Sequence, residues 1–192
     1  MSDFWLYFKL GLEHVLDWNA YDHILFLVVL CVPFTFISWR RLLLLVTMFT
    51  LGHTMSLLLA YYNVVSVSSN WIEFLIPITI LVAAIFTMLR AGKVGRTEKI
   101  GVLYLVTVFF GLIHGFGFAG YYRMINIDGG ILPLFEFALG IEVSQIIISL
   151  IVLLLAFLAQ TFFRFNQRDW VLVVSSIVVG MVIPMLVENW IF

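Results

Sequence analysis

Six long apolar stretches constrain the fold of this chain more than any other feature of its sequence. A helix that crosses a bilayer needs about 20 mostly apolar residues. Such stretches run roughly from Tyr21 to Ser38, Leu42 to Tyr62, Trp71 to Leu89, Ile100 to Tyr122, Ile131 to Gln160 and Trp170 to Phe192. Charged residues make up only 11% of the chain, against about 25% in soluble domains. The sequence therefore predicts an all-α membrane protein, a bundle of about six transmembrane helices forming a single domain.

The segment before the first stretch, residues 1–20, mixes apolar and polar side chains. Apolar residues such as Phe4 and Leu10 alternate there with charged residues such as Lys9 and Glu13. This pattern is typical of an amphipathic helix that lies in the membrane interface. We therefore expect an N-terminal interfacial helix within residues 1–20, followed by a six-helix bundle over residues 21–192.

The basic residues of the connecting loops predict the orientation of this bundle. Eight of the ten lie in loops on one side, namely Arg40, Arg41, Arg90, Lys93, Arg96, Lys99, Arg164 and Arg168. Because cytoplasmic loops are enriched in lysine and arginine, this side is expected to be cytoplasmic. Both termini then lie outside, and a bacterial cytoplasmic (inner) membrane is the expected location.

This topology gathers the histidines in the outer half of the bundle. His23 lies at the start of the first stretch, and His53 and His114 lie in the outer halves of the second and fourth. An ionisable residue within a membrane span is a functional candidate by default, and imidazole is a common metal ligand. We predict one transition-metal site built from His23, His53 and His114, with Asp22 or Glu142 nearby.

Each of these residues also has a structural interpretation. Asp22 could cap a helix N-terminus, or it could orient His23 while His23 binds the metal, as metal-bound imidazoles usually require. His14 could fold over the mouth of the bundle as a further ligand, or remain a solvated interfacial residue. His53 could instead make a polar contact between helices, and Glu142 could be a structural glutamate that is protonated or hydrogen-bonded.

Polar side chains at helical spacing extend the candidate site inward. Thr50 precedes His53 by three residues on the same helix face. Gln145 and Ser149 follow Glu142 by three and seven residues and share its face. Glu136 lies six residues before Glu142 and points elsewhere. We expect Thr50, Gln145, Ser149 and Glu136 to support the site or to line a pathway.

The chain resembles the HupE/UreJ group of small membrane proteins, which is associated with metal supply to hydrogenase and urease. The resemblance rests on GLEHVLDWNAYDHILFL, FTLGHTMSLLLA, FGLIHGFGFA and ALGIEVSQ, and it covers about Gly11 to Gln145. Compared with the better-studied nickel permeases, the spacer between His14 and Asp22 is longer, and His114 stands alone where those proteins have His-Gly-His-Gly-x-Glu. The chain is thus more similar to the second branch of the group, and the resemblance implies a six-to-eight-helix metal-related protein.

Three functions fit these residues, and the sequence leaves enzymatic activity open. A permease would pass a divalent nickel, cobalt or zinc ion inward from the histidines to Glu142, since mixed imidazole and carboxylate ligands suit such metals. A hydrolase would use the ion to activate water, with Asp22, Glu136 or Glu142 as base. An accessory protein would bind the ion, zinc or nickel, without moving it. The formal net charge of −1 supports no nucleic-acid partner. The expected partners are the metal ion and membrane lipid, and homo-oligomerisation is left open.

Overall fold

The structure, a computed structural model, describes residues 3–18, 21–92, 100–125 and 130–191, and within these ranges the regular secondary structure is entirely helical. Seven α-helices follow one another, and a short 3₁₀ helix at Phe36–Ser38 precedes the third. The helices are α1 (Asp3–Leu16), α2 (Asp22–Cys31), α3 (Trp39–Tyr61), α4 (Ser69–Leu89), α5 (Ile100–Ile125), α6 (Ile131–Phe162) and α7 (Gln167–Glu188).

Five helices are long and apolar enough to cross a membrane. They are α3, counted together with the 3₁₀ helix before it, and α4, α5, α6 and α7, with 21 to 32 residues each. These five correspond to the second to sixth apolar stretches of the sequence. The chain is therefore a multi-pass membrane protein, and its outward-facing apolar side chains imply contact with lipid.

The first apolar stretch does not form the continuous span that the sequence predicted, so a sixth span is not confirmed. Its helix, α2, has ten residues and ends at Cys31. At about 1.5 Å per residue it covers about 15 Å, roughly half of a hydrocarbon core. Pro33 explains the early end, because proline lacks the backbone N–H that would continue the helical hydrogen bonds after Val32.

The N-terminal segment forms α1, which packs lengthwise against α6, so the predicted interfacial helix is not confirmed. Gly11 of α1 faces the Phe137 carbonyl, and Gly140 of α6 faces the Phe8 carbonyl, so closely that a Cβ at either glycine would overlap that oxygen. The Ser144 hydroxyl donates to the Leu12 carbonyl oxygen at 3.0 Å. Since residue numbers rise together along both helices, α1 runs parallel to α6 and carries His14 toward the interior of the bundle.

A similar close contact sets the spacing of α3 and α5. Gly52 of α3 meets the Val108 carbonyl, and Gly115 of α5 meets the His53 carbonyl and the Ser56 hydroxyl, again with no room for a Cβ. Such small-residue contacts let helix backbones approach closely within membranes. The two helices run parallel in this register, which brings His53 of α3 to the level of His114 on α5.

Candidate metal centre

All four histidines of the chain converge on one buried point. His14 lies in the last turn of α1 and His23 in the first turn of α2, while His53 and His114 come from α3 and α5. The His14 ring centroid lies 4.6 Å from that of His23 and 5.5 Å from that of His53. His23 lies 5.7 Å from His53 and 5.4 Å from His114. Ligand atoms of His14, His23 and His53 all fall within 4.8 Å of one another.

Five nitrogens of these rings are buried without a hydrogen-bond partner among the described residues. They are Nε2 of His14, His23 and His114 and both ring nitrogens of His53. His23, His53 and His114 are each no more than 3% exposed. Because buried polar groups are almost always hydrogen-bonded, five partnerless nitrogens in one place indicate a missing ligand. Lone pairs on neutral imidazole fit a divalent transition metal, with metal–nitrogen bonds of about 2.0–2.1 Å.

Two of the rings are held so that Nε2 faces the cluster. Asp22 Oδ1 lies 3.1 Å from His23 Nδ1 and also accepts the His23 backbone N–H at 2.9 Å. His114 Nδ1 lies 2.9 Å from the Phe110 carbonyl oxygen. A contact of this kind fixes the tautomer and orientation of a metal-binding imidazole. The arrangement gives Asp22 an orienting position. Asp22 is the first residue of α2. The N-cap position of this helix is Tyr21, and Tyr21 makes no side-chain capping bond.

Glu142 lies apart from the histidine cluster, in a second set of polar side chains between α3 and α6. Its carboxyl oxygens lie 2.6 Å from Thr47 Oγ1 and 2.5 Å from Thr50 Oγ1. Thr50 Oγ1 also lies 2.8 Å from Gln145 Oε1. The sequence analysis missed Thr47, although it continues the spacing of three residues that links Thr50 and His53.

Two further residues of the predicted pathway are also placed. Ser149 accepts a hydrogen bond from the Cys31 thiol at 3.3 Å, at the C-terminal end of α2. Glu136 is 6% exposed on α6, two turns before Glu142. The structure thus separates the predicted site residues into a histidine cluster with Asp22, a polar set around Glu142, and these two outlying positions.

A cavity of about 820 Å³ leads to the cluster at the end of the bundle where α5 ends and α4 begins. His14, His23 and His114 line it, together with the acidic residues Glu13, Asp17, Asp22 and Glu73 and with apolar side chains that include Trp18, Phe118 and Tyr121. No lysine or arginine of the described residues is among the lining groups. The negative charge attracts cations to the opening. Phe118 packs on His14 with ring centroids 3.9 Å apart, a contact that the sequence analysis did not foresee.

Helix lengths and the histidine cluster define the class of this molecule, a multi-pass helical membrane protein with a buried group of imidazoles able to hold a metal ion. The family model described as HupE / UreJ protein matches residues 1–190, and the chain belongs to that family. This match confirms the resemblance found in the sequence motifs. Comparison with curated proteins and with solved structures gives no match.

Proposed function

We propose that this protein is a permease that takes up a divalent transition-metal ion through the histidine cluster. The observation that carries the proposal is the convergence of four imidazoles with five partnerless nitrogens. An acid-lined cavity gives access to three of these rings. The HupE/UreJ family is associated with nickel and cobalt uptake. The ion is the transported substrate in this account.

The donor set suits a borderline transition metal. Nε2 of His14, His23 and His114 and one nitrogen of His53 would bind the ion, and Asp22 would keep the His23 ring in place. Imidazole ligands suit nickel, cobalt and zinc, and they are a poor match for magnesium or calcium, which take oxygen ligands. A site made of neutral imidazoles adds no negative charge, so the ion is held without the strong attraction that would oppose its release.

The break between α1 and α2 supports a transport role. Together α1 and α2 contain 24 residues, about 36 Å of helix, so the two short helices could share one crossing of the membrane. His14 and His23 lie on either side of the break. Discontinuous helices that place ligands at mid-membrane are typical of secondary transporters. In this interpretation α1 forms part of a span, in place of the interfacial position expected from its sequence.

The loop charges support an orientation with both termini outside. The test is cysteine labelling at Ser2 and Gly95, which lie outside the described residues, in a Cys31→Ser background. Serine there keeps a hydrogen-bonding group opposite Ser149. A membrane-impermeant reagent added to intact cells should label position 2 and spare position 95. Labelling at position 95 would reverse the orientation, and the cavity would then open to the cytoplasm.

The function is tested with purified protein in proteoliposomes loaded with a metal-sensitive dye. Wild-type protein should carry Ni²⁺, Co²⁺ or Zn²⁺ across the bilayer, and the His53→Ala variant should not. Leu51→Ala is a matched control, because Leu51 is on the same helix with its side chain exposed on the outside of the bundle. If wild-type protein binds metal but carries none of the three ions, the permease proposal is wrong and an accessory role replaces it.

One observation favours an enzyme as the second candidate. The cavity of about 820 Å³ exceeds the space that an ion needs and falls in the range of pockets for small organic molecules, about 300–1,000 Å³. Its apolar walls would suit a lipid or a membrane peptide. Bound zinc would supply an activated water, and Asp22 would accept its proton. Hydrolysis products formed from lipid or peptide by the zinc-loaded protein, and absent with His53→Ala, would establish this function.

A further inference from the structure

The polar set between α3 and α6 contains one carboxyl group, that of Glu142, which has no cationic partner among the described residues. Both oxygens of Glu142 lie within 2.6 Å of a threonine hydroxyl, that of Thr47 or Thr50, and Thr50 continues the contact to Gln145. We propose that Glu142 binds a proton here, as an undissociated carboxylic acid, in a site separate from the metal centre. This inference does not depend on whether the protein transports a metal.

The hydroxyl hydrogens are too few for the oxygen contacts in this set. Each threonine hydroxyl also lies within 3.3 Å of a backbone carbonyl of its own helix. Together, the Thr47 and Thr50 hydroxyls therefore make five contacts with oxygen atoms, but each hydroxyl has only one hydrogen to donate. If Thr50 donates to Gln145, the contact of 2.5 Å with Glu142 Oε2 requires a hydrogen from Glu142. A carboxylic acid that donates to Thr50 supplies it.

The amide of Gln145 offers the competing arrangement. Its Nε2 is buried without a partner, while its Oε1 faces Thr50. A rotation of the amide by 180° would let Nε2 donate to Thr50, which would then donate to Glu142. That arrangement leaves Glu142 ionised, and its negative charge must then be balanced by something else.

The described residues supply no such balance. Among the described residues, ion pairs within 4 Å join Lys9 to Glu13 and His23 to Asp22, and no described cationic side chain pairs with Glu142. The titratable groups of the packed helices include His53 on α3, His14 on α1 and Cys31 on α2, and none of them is hydrogen-bonded or ion-paired to Glu142. The titratable groups of α7, namely Arg168, Asp169 and Glu188, lie at its two ends.

The location of Glu142 makes an unbalanced charge unfavourable. Glu142 lies in the middle of the predicted bilayer, and it is partly exposed on the α3–α6 surface. An ionised carboxylate facing hydrocarbon is strongly disfavoured and normally takes up a proton or a cation. A proton also accounts for the contact with Thr50, because the hydrogen of an undissociated acid supplies the donor that this contact needs when Thr50 donates to Gln145.

Infrared spectroscopy of the purified, metal-free protein tests the proposal. The difference spectrum between wild type and Glu142→Gln should contain the carbonyl band of an undissociated carboxylic acid, which shifts in D₂O. Glu13→Gln is the control, because the Glu13 side chain is 59% exposed and pairs with Lys9, and its difference spectrum should contain only carboxylate bands. Carboxylate bands for Glu142 as well would overturn the proposal.

A second measurement uses wild-type protein alone, so it does not depend on the folding of a variant. A hydrophobic carbodiimide adds across the O–H of an undissociated acid and rearranges to an N-acylurea. The adduct gains the full mass of the reagent, and no group leaves. Mass spectrometry should locate this adduct on Glu142 equally in sodium-free and sodium-containing buffer. Protection by sodium would assign the site to Na⁺ and overturn the proton assignment, as would absence of the adduct together with absence of the acid band.

Discussion

Replacing Asp22 by alanine should weaken metal binding by way of His23. Asp22 Oδ1 lies 3.1 Å from His23 Nδ1, and no ligand atom of Asp22 belongs to the group formed by His14, His23 and His53. Loss of a carboxylate that orients a metal-bound imidazole typically lowers metal affinity about 10- to 100-fold. This range corresponds to about 1.4–2.8 kcal/mol. We expect Asp22→Ala to lie within it, measured as the Kd for Ni²⁺ or Zn²⁺ by titration calorimetry.

Comparison variants separate orientation from direct ligation. Asp22→Asn keeps an oxygen acceptor beside His23 but loses the charge that strengthens the contact, so its affinity should fall between wild type and Asp22→Ala. Because Asp22 acts through His23, adding Asp22→Ala to His23→Ala should cost little more than His23→Ala alone. Fully additive losses would mean that Asp22 binds the metal itself. Unchanged affinity in Asp22→Ala would refute the orienting role.

Three other substitutions test the fold and the pathway. Gly115→Ala should destabilise the protein by about 1–3 kcal/mol, because a Cβ there overlaps the backbone of α3. Gly120→Ala is the control and should leave the unfolding midpoint unchanged, because a Cβ there meets no atom within 4 Å. Equal midpoints for the two variants would contradict the close contact. Glu142→Gln should preserve expression, fold and the Kd for metal. Metal uptake into proteoliposomes by this variant should fall sharply and should no longer respond to a pH gradient. Unchanged uptake would exclude Glu142 from the pathway. His14→Ala should lower metal affinity at least tenfold in calorimetry if α1 contributes a ligand. Wild-type affinity would mean that His14 packs beside the site without binding the metal.

The sequence predicted much of this arrangement because two physical constraints are strong. Apolar length identified the five helices α3 to α7, and the cost of burying imidazole in a membrane identified His23, His53 and His114 as functional candidates. The basic residues of the loops then placed these histidines in one half of the bundle. The structure brings them together, with His23 next to both His53 and His114.

The sequence could not predict how the helices pair, because pairing depends on contacts between distant segments. The spacing of Gly111 and Gly115 in the sequence is typical of a tightly packed helix face, but it does not identify α3 as the partner helix. The amphipathic pattern of α1 gave no sign that Gly11 would meet α6. Likewise, helix periodicity placed Glu142 on a polar face, while the threonines that surround it come from α3. That packing separates Glu142 from the histidines.

The most direct test of the proposed metal centre is a metal titration of the purified protein combined with anomalous scattering from crystals of the loaded form. The account predicts one transition-metal ion bound per chain at saturation, with an anomalous peak about 2.0–2.1 Å from imidazole nitrogens of His14, His23 and His53. His114 should be the fourth neighbour. A peak at Glu142, or no bound ion at saturating nickel, cobalt and zinc, would contradict it.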